Sequence, residues 1–334
     1  MKKLICLFLL LFCLSGCGSE ETQPISKELD AMDTTMILSA YGKNAESALE
    51  DACSEIKRLD ALFSVGIQSS DIWALNHQKS AQVSKDTATL LARAIAISAD
   101  TDGAFDPTVA PLMEAWGFTD KNYQVPSATT IQSLLPNVDA STILLDANNH
   151  CALPQNVSVD LGAIAKGYTA DRVIEIFKTH HVEHALISLG GNIQALGSKP
   201  DGRPWRIGIQ DPVQTNDIVA TLEVHDRAVV TSGGYLRYFE ENGVRYHHIL
   251  DPHTGQPANS GLLSVTIVSK DGTLADALST ALFVMGEEKA IAYWYNHPND
   301  FDCILITDDG RVLATPNAAT ALTLANGEHA EVIA

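Results

Sequence analysis

The chain predicts an α+β fold in which helices pack on mixed, largely antiparallel sheets, and three observations carry that expectation. Helical and strand-like segments are interspersed without a regular βαβ beat. Two tight-turn pairs, Asn242-Gly243 and Asp309-Gly310, each sit between strand-like runs and specify antiparallel hairpins. No internal repeat is visible along the 334 residues.

Taken in order, Asn44 to Phe63 sets Ala45, Ala48, Leu49, Ala52, Ile56, Leu59 and Phe63 at helical spacing, with Asn44 as a cap. Thr87 to Ala99 is apolar on most sides and is expected to be a buried helix. Ser127 to Leu135, closed by Pro136, is a short third helix. Ala163 to Thr179 is a fourth, with Ile164, Val173, Ile174 and Phe177 toward the core, and Thr273 to Met285 is a fifth. Strands fit at Ile143–Leu145, Ala185–Leu189, Trp205–Gln210, Val219–Val224 and Leu262–Val268. Hairpins pair Tyr235–Glu240 with Val244–Leu250, and Cys303–Thr307 with Arg311–Ala314.

The N-terminus is of another kind. Met1-Lys2-Lys3 is basic and Leu4 to Leu14 is nearly all apolar, too short for a permanent span but suited to a signal peptide. Leu14-Ser15-Gly16-Cys17 resembles the lipobox of bacterial lipoproteins, which implies loss of residues 1–16 and lipid on Cys17. Two acyl signals on one residue would anchor the chain stably. Residues 17–29 read as a polar tether and 30–334 as one large folded unit. The expected address is the cell envelope, lipid-anchored on an inner or outer membrane and facing the periplasm.

Composition narrows the partners. The formal charge of −19 becomes −21 once Lys2 and Lys3 leave, so nucleic acid is excluded as a partner. An anionic ligand must instead be met locally, by glycine-rich turns, helix N-termini, a lysine or a divalent cation. Cys53, Cys151 and Cys303 remain after processing, widely spaced and without a CxxC pair. That describes neither a disulfide scaffold nor a zinc-cysteine site.

Four segments carry candidate chemistry. Thr101-Asp102-Gly103-Ala104-Phe105-Asp106-Pro107-Thr108 reads as a solvent turn or as a ligand loop, and a Phe among turn residues fits the first poorly. Val159-Asp160-Leu161-Gly162-Ala163-Ile164-Ala165-Lys166 runs from a strand end into a helix start, where free N–H groups favour anions. Lys166 opposes the helix dipole there, so it is either solvated or kept for a phosphate or adenine edge. Val230-Thr231-Ser232-Gly233-Gly234-Tyr235 bends before the strand that ends Tyr246-His247-His248-Ile249-Leu250-Asp251-Pro252. Adjacent strand residues point to opposite faces, so only one of His247 and His248 can line a common site. His180, His181 and His184 have no metal-ligand spacing. Asp276 and Thr280, four apart, share a helix face among Ala and Leu. Either they offer oxygens to a hard cation such as Mg²⁺ or Asp276 answers the helix dipole.

In this order the segments resemble the FAD:protein FMN transferase family, the ApbE-like flavin transferases. Further matching stretches are Phe63-Ser64-Val65, Asp71-Ile72 with Leu75-Asn76, Ser188-Leu189-Gly190-Gly191-Asn192 and Trp205-Arg206-Ile207-Gly208-Ile209-Gln210-Asp211-Pro212. The resemblance implies an enzyme that cleaves FAD and joins FMN, through a phosphoester, to a Ser or Thr of an acceptor protein, releasing AMP. Implied acceptors are membrane redox subunits of the Rnf and Nqr type. Carried onto this sequence, Met32, Ala104, Phe105, Asp106, Asp160, Lys166 and His248 contact FAD. The carbonyl of Ala163 with the side chains of Asp276 and Thr280 hold Mg²⁺, and Asp276, Lys166 and His248 act in catalysis. Asp106, Asp251 and His248 are candidate general bases. Two positions depart from the family pattern: Met32-Asp33-Thr34 stands where Met-Gly-Thr is common, and Gly66 where many members have Tyr. Rival readings are FAD hydrolysis to FMN and AMP, and a flavin-binding lipoprotein without catalysis.

Overall fold

A computed structural model describes residues 23–334; residues 1–16 and Cys17 lie outside the described residues. Among the described residues are nine helices: α1 (Ala45–Phe63), α2 (Asp71–Gln78), α3 (Lys85–Asp100), α4 (Ala110–Ala115), α5 (Ala128–Leu134), α6 (Ala165–Thr179), α7 (Gly272–Met285), α8 (Glu287–Asn296) and α9 (Pro316–Ala321). No described helix is long and apolar enough to cross a membrane.

The centre is a nine-stranded sheet whose strands follow one another in chain order: Ile25–Ala31, Thr34–Ala40, Ala185–Leu189, Asn192–Leu196, Ala228–Gly233, Leu262–Ser269, Phe301–Thr307, Val312–Ala314 and Glu331–Val332. Neighbours are antiparallel except the last pair, which is parallel. Helices α1, α6 and α7 cover one face, and a three-stranded sheet that includes Trp205–Gln210 and Ile218–Val224 covers the other. Side chains alternate across the pleat, so Val230, Val265 and Ile267 join the helix-side core while Val229, Val268 and Ile304 join the other. Burial on both faces explains why these strands read as continuous apolar runs.

The five predicted helices stand within two residues of their expected limits. Ser84 and Ser127 cap theirs, each accepting the N–H three residues on. Asn44 does not cap; its amide donates to the His180 carbonyl instead, 2.8 Å away. Residues 25–29 are not tether. They form most of the first strand, paired from Ile25↔Ala40 to Ala31↔Thr34. An edge strand needs only one apolar face, so Ile25–Ala31 alternates polar residues and resembles a linker. Met32 and Asp33 make its turn with φ of 50° and 60°. Aspartate tolerates this left-handed region better than most residues, which accommodates Asp33 where the family favours glycine.

The Asn242-Gly243 hairpin is shorter than expected, Tyr238–Glu241 with Val244–His247, and forms a sheet of its own. Its Phe239 and Tyr246 pack on Trp116, and Phe239 also packs on Phe118. Cys151 and Cys303 are buried, Cys53 is half-buried, and all three are free thiols. Burial pushes the Cys151 thiol up to about 11 and the Cys303 thiol up to about 12, consistent with inert filling.

Candidate active site

The site is organised by the crossing of α6 and α7. The first turn of α6 has no cap of its own, because Ile164 at the cap position offers no acceptor. Asp276, from the second turn of α7, supplies one: its Oδ2 accepts the Gly167 N–H at 2.9 Å. This places a carboxylate at a positive helix end, worth up to about 2 kcal/mol when partly buried. Gly167 is required for the approach, since a Cβ there would lie 2.1 Å from the Gly272 carbonyl oxygen.

Because Gly167 donates to Asp276, the Ala163 carbonyl four residues earlier receives no hydrogen bond among the described residues. None of the described residues donates to Asp276 Oδ1 either. Thr280 stands one turn along α7, its hydroxyl 3.4 Å from Ser232 Oγ, which also meets Ser279 Oγ at 2.8 Å. A carbonyl, a carboxylate oxygen and a hydroxyl are a donor set for a hard cation that completes its shell with phosphate or water. No cluster of three or more His, Cys, Asp or Glu among the described residues is placed to hold a metal. Ala163, Asp276 and Thr280, the residues expected from sequence, carry oxygens of the kind that Mg²⁺ takes. The Ser232–Ser279 pair beside them was missed, although Ser279 precedes Thr280 directly.

The other expected segments converge on the same corner. Asp160 donates its N–H to the Pro107 carbonyl at 2.7 Å, joining the 159–166 turn to the 101–108 turn. Asn76 of α2 clamps Val159 through both N–H and carbonyl, at 2.8 and 2.9 Å. Asp160 Oδ1 accepts the Gly162 N–H at 2.7 Å, and Lys166 folds back to the Gly162 carbonyl at 3.0 Å. Met32, half-buried beside Thr169 of α6, donates its N–H to Asp60.

Asp106, Ala104, Phe105 and Asp251 are buried or already hydrogen-bonded. Asp106 is buried with both oxygens engaged: Oδ1 accepts from Thr108 N–H and hydroxyl, Oδ2 from Ser98 and the Ala140 N–H. It is a structural clamp, not a free base. Phe105 and Ala104 are likewise buried in the main core. Asp251 is also occupied, by the His253 N–H and the Thr254 hydroxyl.

His248 differs. Its Nδ1 faces the Arg237 carbonyl at 3.1 Å, and a carbonyl only accepts, so Nδ1 carries the proton and Nε2 is left with a lone pair. Burial holds His248 down to about 3, and the charges of Arg237, His247 and Lys166 act in the same direction. The ring is thus a neutral acceptor within electrostatic reach of Lys166. His247 turns the other way, as strand alternation requires, and meets the Ala258 carbonyl at 3.0 Å and the edge of Phe283.

Comparison with known proteins places this arrangement. The family model described as ApbE matches residues 32–305. The FAD:protein FMN transferase of Treponema pallidum is 36% identical, over 80% of this chain and 79% of that protein. Its Haemophilus influenzae counterpart is 32% identical over 97% and 99%. The crystal structure of the ApbE protein of Thermotoga maritima superposes with a TM-score of 0.83 at 36% identity, covering 90% of this chain and 99% of that one. The apo flavinyl transferase ApbE of Pseudomonas stutzeri gives 0.80 at 28%, covering 91% and 98%. The chain belongs to the ApbE family.

Proposed function

We propose that this chain is an FAD:protein FMN transferase that works with Mg²⁺. The acceptor Ser or Thr oxygen attacks the FMN-side phosphorus, the bond to the AMP phosphate breaks, and AMP leaves. The observation that carries this reading is the open oxygen corner of Ala163, Asp276 and Thr280 at the start of α6. Simple flavin capture needs no such corner. Ala163, Asp276 and Thr280 would hold the cation, which would supply charge neutralisation for the diphosphate and the leaving phosphate. Lys166 and the first-turn amides of α6 orient the diphosphate. His248 is the remaining candidate base, because Asp106 and Asp251 are already engaged. Burial is the main cause of the lowered basicity of His248, and a bound diphosphate would offset only the smaller share that Arg237, His247 and Lys166 add.

The acceptor is read as a redox subunit of the Rnf or Nqr type, presented at the envelope to an enzyme held by lipid on Cys17. The support is the N-terminal sequence and the family resemblance. The test is incubation with FAD, Mg²⁺ and such a subunit. Flavin fluorescence on the acceptor after denaturing electrophoresis, with AMP released, is expected. AMP without labelled acceptor would make the chain an FAD pyrophosphatase, and neither product would leave a flavin-binding protein.

A further inference from the structure

Helices α6 and α7 open with one pattern, Gly167-Tyr168-Thr169-Ala170-Asp171 and Gly272-Thr273-Leu274-Ala275-Asp276. The glycines face each other: a Cβ on Gly272 would lie 3.0 Å from the Gly167 carbonyl oxygen. Each aspartate reaches across to the amide of the other helix's glycine. Asp276 accepts from Gly167, and Asp171 accepts from Gly272 at 2.9 Å. The two halves differ in what is left over. Asp171 Oδ1 also takes Gln194 Nε2 at 3.0 Å, while Oδ2 takes the Thr273 N–H at 2.8 Å and its hydroxyl at 2.6 Å. Among the described residues Asp276 receives the Gly167 N–H alone, on Oδ2, and nothing donates to Oδ1.

We propose that Asp171 is a positioning residue for flavin transfer, setting the cation affinity of a corner it does not touch. By fixing two successive amides and a hydroxyl in the first turn of α7, it prevents that helix from sliding or rotating on α6. Asp276 and Thr280 are thereby held toward Ala163. Metal-site geometry tolerates only about 0.5 Å of drift, so the register of α7 decides whether the oxygens converge. The inference rests on the cation reading above.

The test is Asp171→Asn, which offers one acceptor oxygen where two are used and turns an NH₂ against existing donors. The Mg²⁺ concentration for half-maximal transfer should rise by about 10- to 100-fold, the usual effect of losing a partner behind a metal ligand. The rate at saturating Mg²⁺ should recover to near wild type. Mn²⁺ binding, followed by EPR with FAD present and no acceptor protein, should weaken in parallel. Thr273→Val, a milder cut that removes one contact to Asp171, should move both readouts in the same direction. Phe177→Leu, a core variant of α6 far from the clamp, should lower thermal stability and leave cation affinity unchanged. Equal loss of affinity in Phe177→Leu, or unchanged affinity in Asp171→Asn, overturns the proposal. Wild-type transfer that needs no cation overturns the cation reading itself, and Asp171 with it.

Discussion

The α6–α7 crossing and the Tyr238–His247 hairpin bring their residues to the site by different physics. At the crossing, backbone amides meet carboxylates at 2.8–2.9 Å between two buried helix starts, and glycine contacts leave no slack. The hairpin is two strands with no third. It is held by stacked rings, Tyr123 on Phe239 at 5.3 Å and Phe239 on Tyr246 at 5.3 Å, while Leu236, Tyr238 and Val244 stay exposed. An isolated pair of strands is marginal without such packing. The difference teaches where each kind of rigidity is needed. A set of oxygens that must converge needs the first kind, whereas a ring carried just beyond a hairpin can ride on side-chain stacking.

The comparison can be broken most severely at Asp276. Asp276→Ala removes the proposed cation oxygen and the α6 cap together, and Mg²⁺-dependent transfer should fall by at least about 10²-fold. Undiminished transfer in a fluorescence assay would remove Asp276 from the site. His248→Gln comes next, with a loss of about 10²-fold in transfer and little change in FAD affinity, which equilibrium titration would read. It also carries a pH signature. The folded ring is held near about 3 against an ordinary 6.5, so below pH 6.5 the unfolded chain takes up a proton that the folded chain refuses. Stability therefore falls as pH drops from 6.5 toward 3, and urea midpoints at pH 7.5 and 5 should differ less in His248→Gln than in wild type. His247, also lowered by burial, retains its own share of the slope.

Gly167→Ala should cost about 1–3 kcal/mol, because the obstructing Gly272 carbonyl is backbone and cannot swing aside. Calorimetry would check it, and wild-type stability would mean that the helices separate easily. The smallest effect is expected at Phe239→Leu, about 1 kcal/mol from lost ring stacking. Its Mg²⁺ dependence should match wild type; a changed dependence would erase the distinction between the two regions.

Much of this was legible in the residues. Helical spacing announced α1, α6 and α7, Asn242-Gly243 announced the hairpin, and the four-residue step put Asp276 and Thr280 on one face. Alternation separated His247 from His248. What stayed hidden depended on partners distant in the chain. Asp106 looks free until Ser98 and Ala140 are seen to fill its second oxygen. The two Gly-x-x-Ala-Asp starts were present in the sequence, but only the crossing shows each aspartate serving the other helix. Residues 25–29 resemble a tether because the edge strand they belong to shows solvent along most of its length.

That strand shortens the leash. If Cys17 is acylated as proposed, only seven residues would separate the lipid from the sheet, an extended reach of roughly 28 Å. The strand bearing Ser232 lies four places across the sheet, roughly 19 Å further at the usual strand spacing. The catalytic corner would then sweep a shallow layer less than about 50 Å deep over the bilayer. Acceptors confined to that layer would then meet the enzyme at a high local concentration. Soluble proteins bearing the same hydroxyl would be diluted out of reach.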